Sequence, residues 1–186
     1  MSVPKKPEPA KLVIGVFLKD KSLLKPVADA LGETFGKIDL ISPWLSFDFT
    51  DYYESEMGRP LYRRMISFIA HIRQADLADI KRHTNAIEGD FAVAGKRRVN
   101  IDPGYLIQAR FVLATGKNYS HRIYIGKGIY ADLTLIYAGG EFTPLPWTYP
   151  DYRHVSMCEY LARVRKKYVH DLKMPPGEDK GATSGG

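Results

Sequence analysis

Leu12 to Leu18 form an unbroken apolar run, the pattern of a strand buried on both faces. Leu24, Val27, Leu31 and Phe35 then recur at three- and four-residue spacing. They predict a helix with Pro26 in its first turn and Gly36 at its end. Ile38 to Ile41 reads as a short strand, broken by Ser42-Pro43. Leu45, Phe47 and Phe49 alternate with Ser46, Asp48 and Thr50, as in a half-buried strand. Pro60 is placed to open a second helix with Leu61, Met65, Ile69 and Ile72 as its stripe. Asp76 is placed to cap a further helical piece with Leu77, Ile80 and Thr84 on one side. Phe91 to Ala94 and Arg97 to Asp102 read as strands joined at Gly95-Lys96.

Two readings compete for the next stretch. Asp102 before Pro103 fits an N-cap with proline at N1, followed by a short helix carrying Tyr105 and Ala109 to Gly116. A strand with Ile107, Ala109, Phe111 and Leu113 on one face fits nearly as well. From His121 the pattern is β. Arg122 to Ile125 and Ile129 to Tyr137 flank Gly126-Lys127-Gly128, and Ala138-Gly139-Gly140 turns into Glu141 to Thr143. Ser156 with Glu159 is a capping-box pair ahead of a last helix faced by Tyr160, Leu161, Val164 and Tyr168. These elements predict an α+β fold. A ferredoxin-like β-α-β-β-α-β first half, ending at residue 94, shares a core with an antiparallel, hairpin-rich second half closed by a C-terminal helix. Residues 1–10 and 174–186, rich in proline, glycine and charge, bury too little apolar surface to offset their ordering entropy. They are expected to be disordered flanks of one domain over residues 11–173.

Composition narrows the class. Of 186 residues, 45% are hydrophobic and 26% charged, as in a soluble globular protein. The longest apolar run is far short of the ~20 residues a membrane span needs. A single cysteine excludes an internal disulfide, and Cys158 reads as a small buried apolar group. No apolar run follows the Lys- and Pro-rich N-terminus in the manner of a secretory signal, and a cytoplasmic location is expected. The net charge of +6 favours anionic partners such as phosphates or RNA. The basic pairs Arg63-Arg64, Lys81-Arg82 and Arg97-Arg98 are dispersed, and read as solvated surface.

Phosphate-cradling motifs are absent. There is no Gly-x-x-x-x-Gly-Lys-Ser/Thr loop, no Gly-x-Gly-x-x-Gly opening a helix, and no zinc-ligand spacing among the histidines. No metal ligand and no cofactor is therefore assigned. Five polar segments remain. Asn100-Ile101-Asp102-Pro103-Gly104-Tyr105 is a turn or cap, or aims a carboxylate into a cleft. Lys117 to Arg122 packs a cation, an amide, hydroxyls, the His121 imidazole and the Arg122 guanidinium together. It is either a hydrophilic loop or a phosphate or carboxylate site, with Arg122 as a fork and Lys117 as a point charge. Asp132 lies on the solvated face of its strand, unless the hairpin curls back and brings it against His121, whose ring it would orient. Trp147 to Arg153 offers Tyr149 for stacking on a planar ligand, or pins its loop to the body. Asp48, Asp51, Glu54 and Glu56 lack the regular oxygen spacing of a calcium loop and read as acidic surface. Asn85 and Glu88 read as caps where a helix meets a strand.

The segments Phe47–Glu54 through Gly58, Thr84–Glu88, Asn100–Leu106, His121–Tyr124 and Trp147–Tyr152 resemble an uncharacterised prokaryotic family, domain of unknown function 4416, over about residues 11–155. The resemblance implies no assigned catalytic residue. Members of that family often carry the automatic name "GTP-binding protein". From the residues, the leading expectation is a site for a small anionic ligand, phosphorylated or nucleotide-like. In it Arg122, Lys117, Tyr105, Asn100 and Tyr149 bind, and His121 works as acid or base beside Asp102 or Asp132. An RNA-binding module and a protein-interaction domain using the Phe47–Tyr53 edge are the alternatives.

Overall fold

The computed structural model describes residues 1–46 and 60–173. The expectations for Phe47–Thr50, for the acidic stretch that follows and for the 174–186 tail lie outside the described residues. Among the described residues, nine strands form one antiparallel sheet. They are β1 (Ala10–Leu18), β2 (Ile38–Ile41), β3 (Leu45–Ser46), β4 (Tyr62–Ile72), β5 (Val99–Ile107), β6 (Arg110–Thr115), β7 (Arg122–Gly126), β8 (Ile129–Ala138) and β9 (Glu141–Pro144). The helices are α1 (Leu24–Phe35), α2 (Leu77–Asp90) and α3 (Val155–Lys173). The strands run β2-β4-β1-β5-β6-β8-β7, with β3 beside β4 and β9 beside β8. The chain is α+β, as its pattern predicts. No described helix is long and apolar enough to cross a membrane.

β1 is central and wholly buried, which is why its sequence shows no alternation. Leu12, Ile14, Val16 and Leu18 pack with Val27 and Leu31 of α1 and with Ile80 and Ile87 of α2. Val13 belongs to a second core with Met65, Leu106 and the Tyr160, Leu161, Val164 and Tyr168 face of α3. Helices therefore cover both faces of the sheet, three layers in all. The chain is engaged before β1 begins: the Tyr168 hydroxyl donates to the Pro9 carbonyl at 2.6 Å, and Gln74 to the Glu8 carbonyl at 3.0 Å. Side-chain contacts from α3 and from Gln74 thus reach back to Glu8 and Pro9.

Three expectations are corrected. Pro60 does not open a helix, because Tyr62–Ile72 is strand β4, held between β1 and β2. Met65 to Phe68 are buried on both faces of that strand, so the run has no strand period, and the four-residue spacing of Leu61, Met65 and Ile69 is coincidental. Phe91–Ala94 is not a strand but a turn with a single bridge, Val93 to Lys96, and Ala94 and Gly95 at positive φ. Asp102-Pro103-Gly104 is neither turn nor cap. It lies inside β5, and the stretch to Thr115 is a hairpin of two strands.

That hairpin opens into a fork. β5 pairs with β6 only from Ile107 back to Gly104, opposite Leu113. Beyond it β5 stays with β1 down to Val99, while β6 stays with β8 out to Thr115. Gly104 sits at the crotch, where a Cβ would come 2.5 Å from the Val112 carbonyl oxygen, so only glycine fits. Pro103 follows the last rung, where its missing N–H orphans no strand partner. The Ile101 N–H and carbonyl would also have faced β6. They are taken instead by Glu88 Oε1 at 2.6 Å and Lys81 Nζ at 2.8 Å, both from α2. Two side chains thus stand in for a strand neighbour.

Candidate functional site

The fork holds a cavity of about 580 Å³. β5 presents Asn100 and Asp102, the end of β6 leads to Gly116 and Lys117, and the β7–β8 ladder adds Arg122 and Asp132. α2 supplies Lys81, Asn85 and Glu88, whose spacing puts them on one helical face. The turn over Tyr149–Tyr152 and Phe17 of β1 complete the wall.

Most of these groups are tied to one another. Asp102 accepts from Lys81 Nζ at 3.3 Å and from Asn100 Nδ2 at 2.9 Å. Asn100 accepts in turn from Arg97 at 3.1 Å, and Arg97 lies 3.7 Å from Glu88. Burial pushes the Glu88 carboxyl above its usual range, against the pull of Lys81 and the Ile101 N–H. On the facing wall, Arg122 Nε donates to Asp132 Oδ2 at 2.9 Å across the β7–β8 pair. Its other nitrogens donate to the Lys117 carbonyl at 3.1 Å and the Tyr149 hydroxyl at 3.2 Å. Asp132 is therefore buried rather than solvated, and Thr134 also donates to it.

Arg63 lies beneath the wall, 1% exposed and paired with Asp151. Its guanidinium is sandwiched between the Phe17 and Tyr152 rings at 4.6 and 4.2 Å, and Gly15 leaves room for it. Burial pushes the Tyr152 hydroxyl far above its usual pKa, so it is neutral.

The family model for a domain of unknown function (DUF4416) matches residues 8–168. The chain belongs to that family. No curated protein and no solved structure matches it. The matched span contains every residue of the cavity wall.

Of the residues singled out in the sequence, Asn100, Asp102, Lys117, Arg122, Asp132 and Tyr149 line this cavity. Tyr105 does not, being buried in the core opposite Leu12 of β1. His121 lies next door, in a shallower recess with Ser120, Pro146 and Trp147. Its ring stacks on Trp147 at 5.2 Å and on Tyr119 at 6.1 Å. His121 Nε2 stands 3.3 Å from Asp132 Oδ2 without a hydrogen bond to it, and Asp132 is shared with Arg122.

Lys81, Asn85, Glu88, Arg97, Asp151 and Arg63 escaped the sequence reading as site residues. The basic pairs that hold Lys81 and Arg63 read as solvated charge, yet both side chains are buried. One signal was available for α2: Lys81, Asn85 and Glu88 form a polar stripe at four- and three-residue spacing beside the apolar Leu77, Ile80, Thr84 and Ile87 stripe. Nothing local marks Arg63, whose burial follows from β4 lying inside the sheet. Cys158 is half-buried, and burial pushes its thiol pKa up.

Proposed function

We propose that this chain is a binding domain for a small anionic molecule, seated in the fork between β5 and β6. The observation that supports the reading most is the convergence there of polar groups from α2, β5, β7, β8 and the 149–152 turn in one concave space. Lys117 and Arg97 bring cations to the wall, and Arg122 keeps N–H groups beyond those its three partners use. A phosphate or carboxylate would meet them, and the exposed ring of Tyr149 would flank the rest of the guest. The reading needs no acid–base chemistry from His121, which lines the neighbouring recess.

Gly116 provides the test. It lines the cavity, and a Cβ there meets nothing within 4 Å. Gly116→Phe is therefore expected to fold normally while filling the space. Thermal-shift screening with nucleotides, sugar phosphates and sugar acids is expected to find a stabiliser, worth about 2.7 kcal/mol at 100 times its dissociation constant. The same compound is expected to leave Gly116→Phe unshifted. A compound that stabilises both proteins equally binds elsewhere, and a screen with no stabiliser refutes the proposal.

A further inference from the structure

α3 carries Arg163, Arg165, Lys166, Lys167 and Lys173 against Glu159 and Asp171, a net +3 of the chain's +6. Two of these cations are used inside the fold. Lys167 pairs with Asp171 and Asp39. Arg165 lies over the Tyr137 ring at 3.5 Å and donates to the Gln108 carbonyl at 2.7 Å. Arg163, Lys166 and Lys173 remain and, with His170, they are exposed. Their spacing of three, four and three residues sets the four in one row, about 15 Å from end to end. Among the described residues no carboxylate pairs with Arg163, Lys166 or Lys173. His170 has Asp171 at 3.7 Å, a group already held by Lys11 and Lys167.

A helix that merely faces water does not need such a row. Like charges three and four residues apart repel one another, and α1 shows the ordinary alternative, Lys25 paired with Asp29 one turn on. The negative end of the helix dipole accounts for His170 and Lys173 in the last turn, but reaches neither Lys166 nor Arg163. A line of negative charges laid along the row turns the repulsion into attraction. A duplex offers one phosphate per about 3.4 Å of axis on each strand, dense enough to meet every member of a row this long.

The rest of the helix decides between polyanions. Its apolar face of Met157, Tyr160, Leu161, Val164 and Tyr168 is buried against the sheet. A helix that lies on a lipid surface needs an apolar face of its own to insert, and here that face is spent on the core. Binding of single strands leans on exposed aromatic rings that stack on bases, and the row contains no Trp, Tyr or Phe. We infer that the exposed row of α3 is a contact surface for the phosphate backbone of a duplex nucleic acid, bound without regard to sequence. No residue of α3 lines the cavity, so this surface stands apart from the small-ligand reading.

Fluorescence anisotropy of the intact chain with labelled RNA and DNA duplexes, and with a single strand of the same sequence, tests this, alongside co-sedimentation with phosphatidylserine vesicles. Duplex binding is expected to fall with salt at a log–log slope of about −3, since three permanent cations meet phosphates. The two duplex arms tell RNA from DNA. The single strand is expected to bind about tenfold more weakly. Arg163→Gln with Lys166→Gln and Lys173→Gln is expected to keep or raise the thermal midpoint, because mutually repelling charges leave an exposed face. It is expected to weaken duplex binding about tenfold or more. Lys19→Gln with Lys37→Gln and Lys96→Gln removes the same charge from exposed positions elsewhere and is expected to weaken it far less. Equal losses in the two triple variants would mean that net charge alone matters, and would overturn the inference. Absence of duplex binding by the wild-type chain overturns it too, as does tighter binding of single strands or vesicles.

Discussion

At the scale of single residues, Arg63 shows how far burial can depart from composition. One of a pair of adjacent arginines, it would be assigned to solvent on charge alone. It is nevertheless among the largest fully buried side chains, because β4 lies beside β1 and the Gly15 position offers no Cβ to displace it. The charge is tolerated because Asp151 neutralises it and two rings cover its faces. Removing one partner leaves the other charge buried and alone. Asp151→Ala is therefore expected to destabilise the chain by about 3–5 kcal/mol in urea unfolding. Arg63→Met with Asp151→Ala is expected to cost less than Asp151→Ala alone, since no uncompensated ion remains. Additive losses in that cycle would mean that the pair contributes nothing as a pair. Asp102 and Asp132 are the contrasting case. Asp102 is legible as a candidate from the short polar segment around it and Asp132 from the strand face it shares with Tyr130 and Thr134, and each lines the cavity.

Among the elements, legibility follows periodicity. α1 and α3 have one buried face and one wet face, and the bounds of both helices and of the β7–β8 hairpin fall close to where the pattern puts them, although the hairpin buries Asp132 and Thr134 on the face that alternation makes solvated. β4 reads as a helix because a strand buried on both faces has no period, and a chance spacing of four then looks helical. The fork between β5 and β6 was invisible for a different reason. Asp-Pro-Gly is locally a turn, and only the pairing of β5 with β1 on its other side keeps it extended. Its glycine is the point of closest approach between the two strands. Gly104→Ala would press a methyl against the Val112 carbonyl and against Leu113 and Phe111, the last two at 3.0 Å. It is expected to lose about 1–3 kcal/mol or more, read as a lower thermal midpoint, with a corresponding loss of ligand binding because the cavity begins at that rung. Gly116→Ala, in open space, is expected to change the midpoint little. Equal effects at the two glycines would show that the fork is not pinned where the register places it.

For the molecule as a whole, the α3 layer is fastened to the sheet by ions as well as by apolar packing, and this makes stability depend on pH. Lys11 of β1 is fully buried and pairs with Asp39 of β2 and Asp171 of α3, while Lys167 reaches both carboxylates. His71 of β4 lies in this cluster, its ring edge-on to Tyr168 at 5.4 Å. Burial first, and then the Lys11 and Lys167 charges, lower its pKa from the ordinary 6.5, with Asp171 and Asp39 opposing. The unfolded chain then takes up this proton at a higher pH than the folded chain does. Stability is therefore greatest above about 6.5 and falls as the pH drops from there toward the folded-state value. Glu88 acts in the opposite sense. Its carboxyl is raised by burial from 4.5, so protonating it in the window above that value favours the folded chain. The two contributions are separable by mutation, since they sit on opposite sides of the sheet. Chemical unfolding of wild type and His71→Gln between about pH 7.5 and 5.5 is expected to show a decline with acid that the variant largely loses. An unchanged decline in His71→Gln would place the responsible proton elsewhere and leave the α3 ion cluster indifferent to pH.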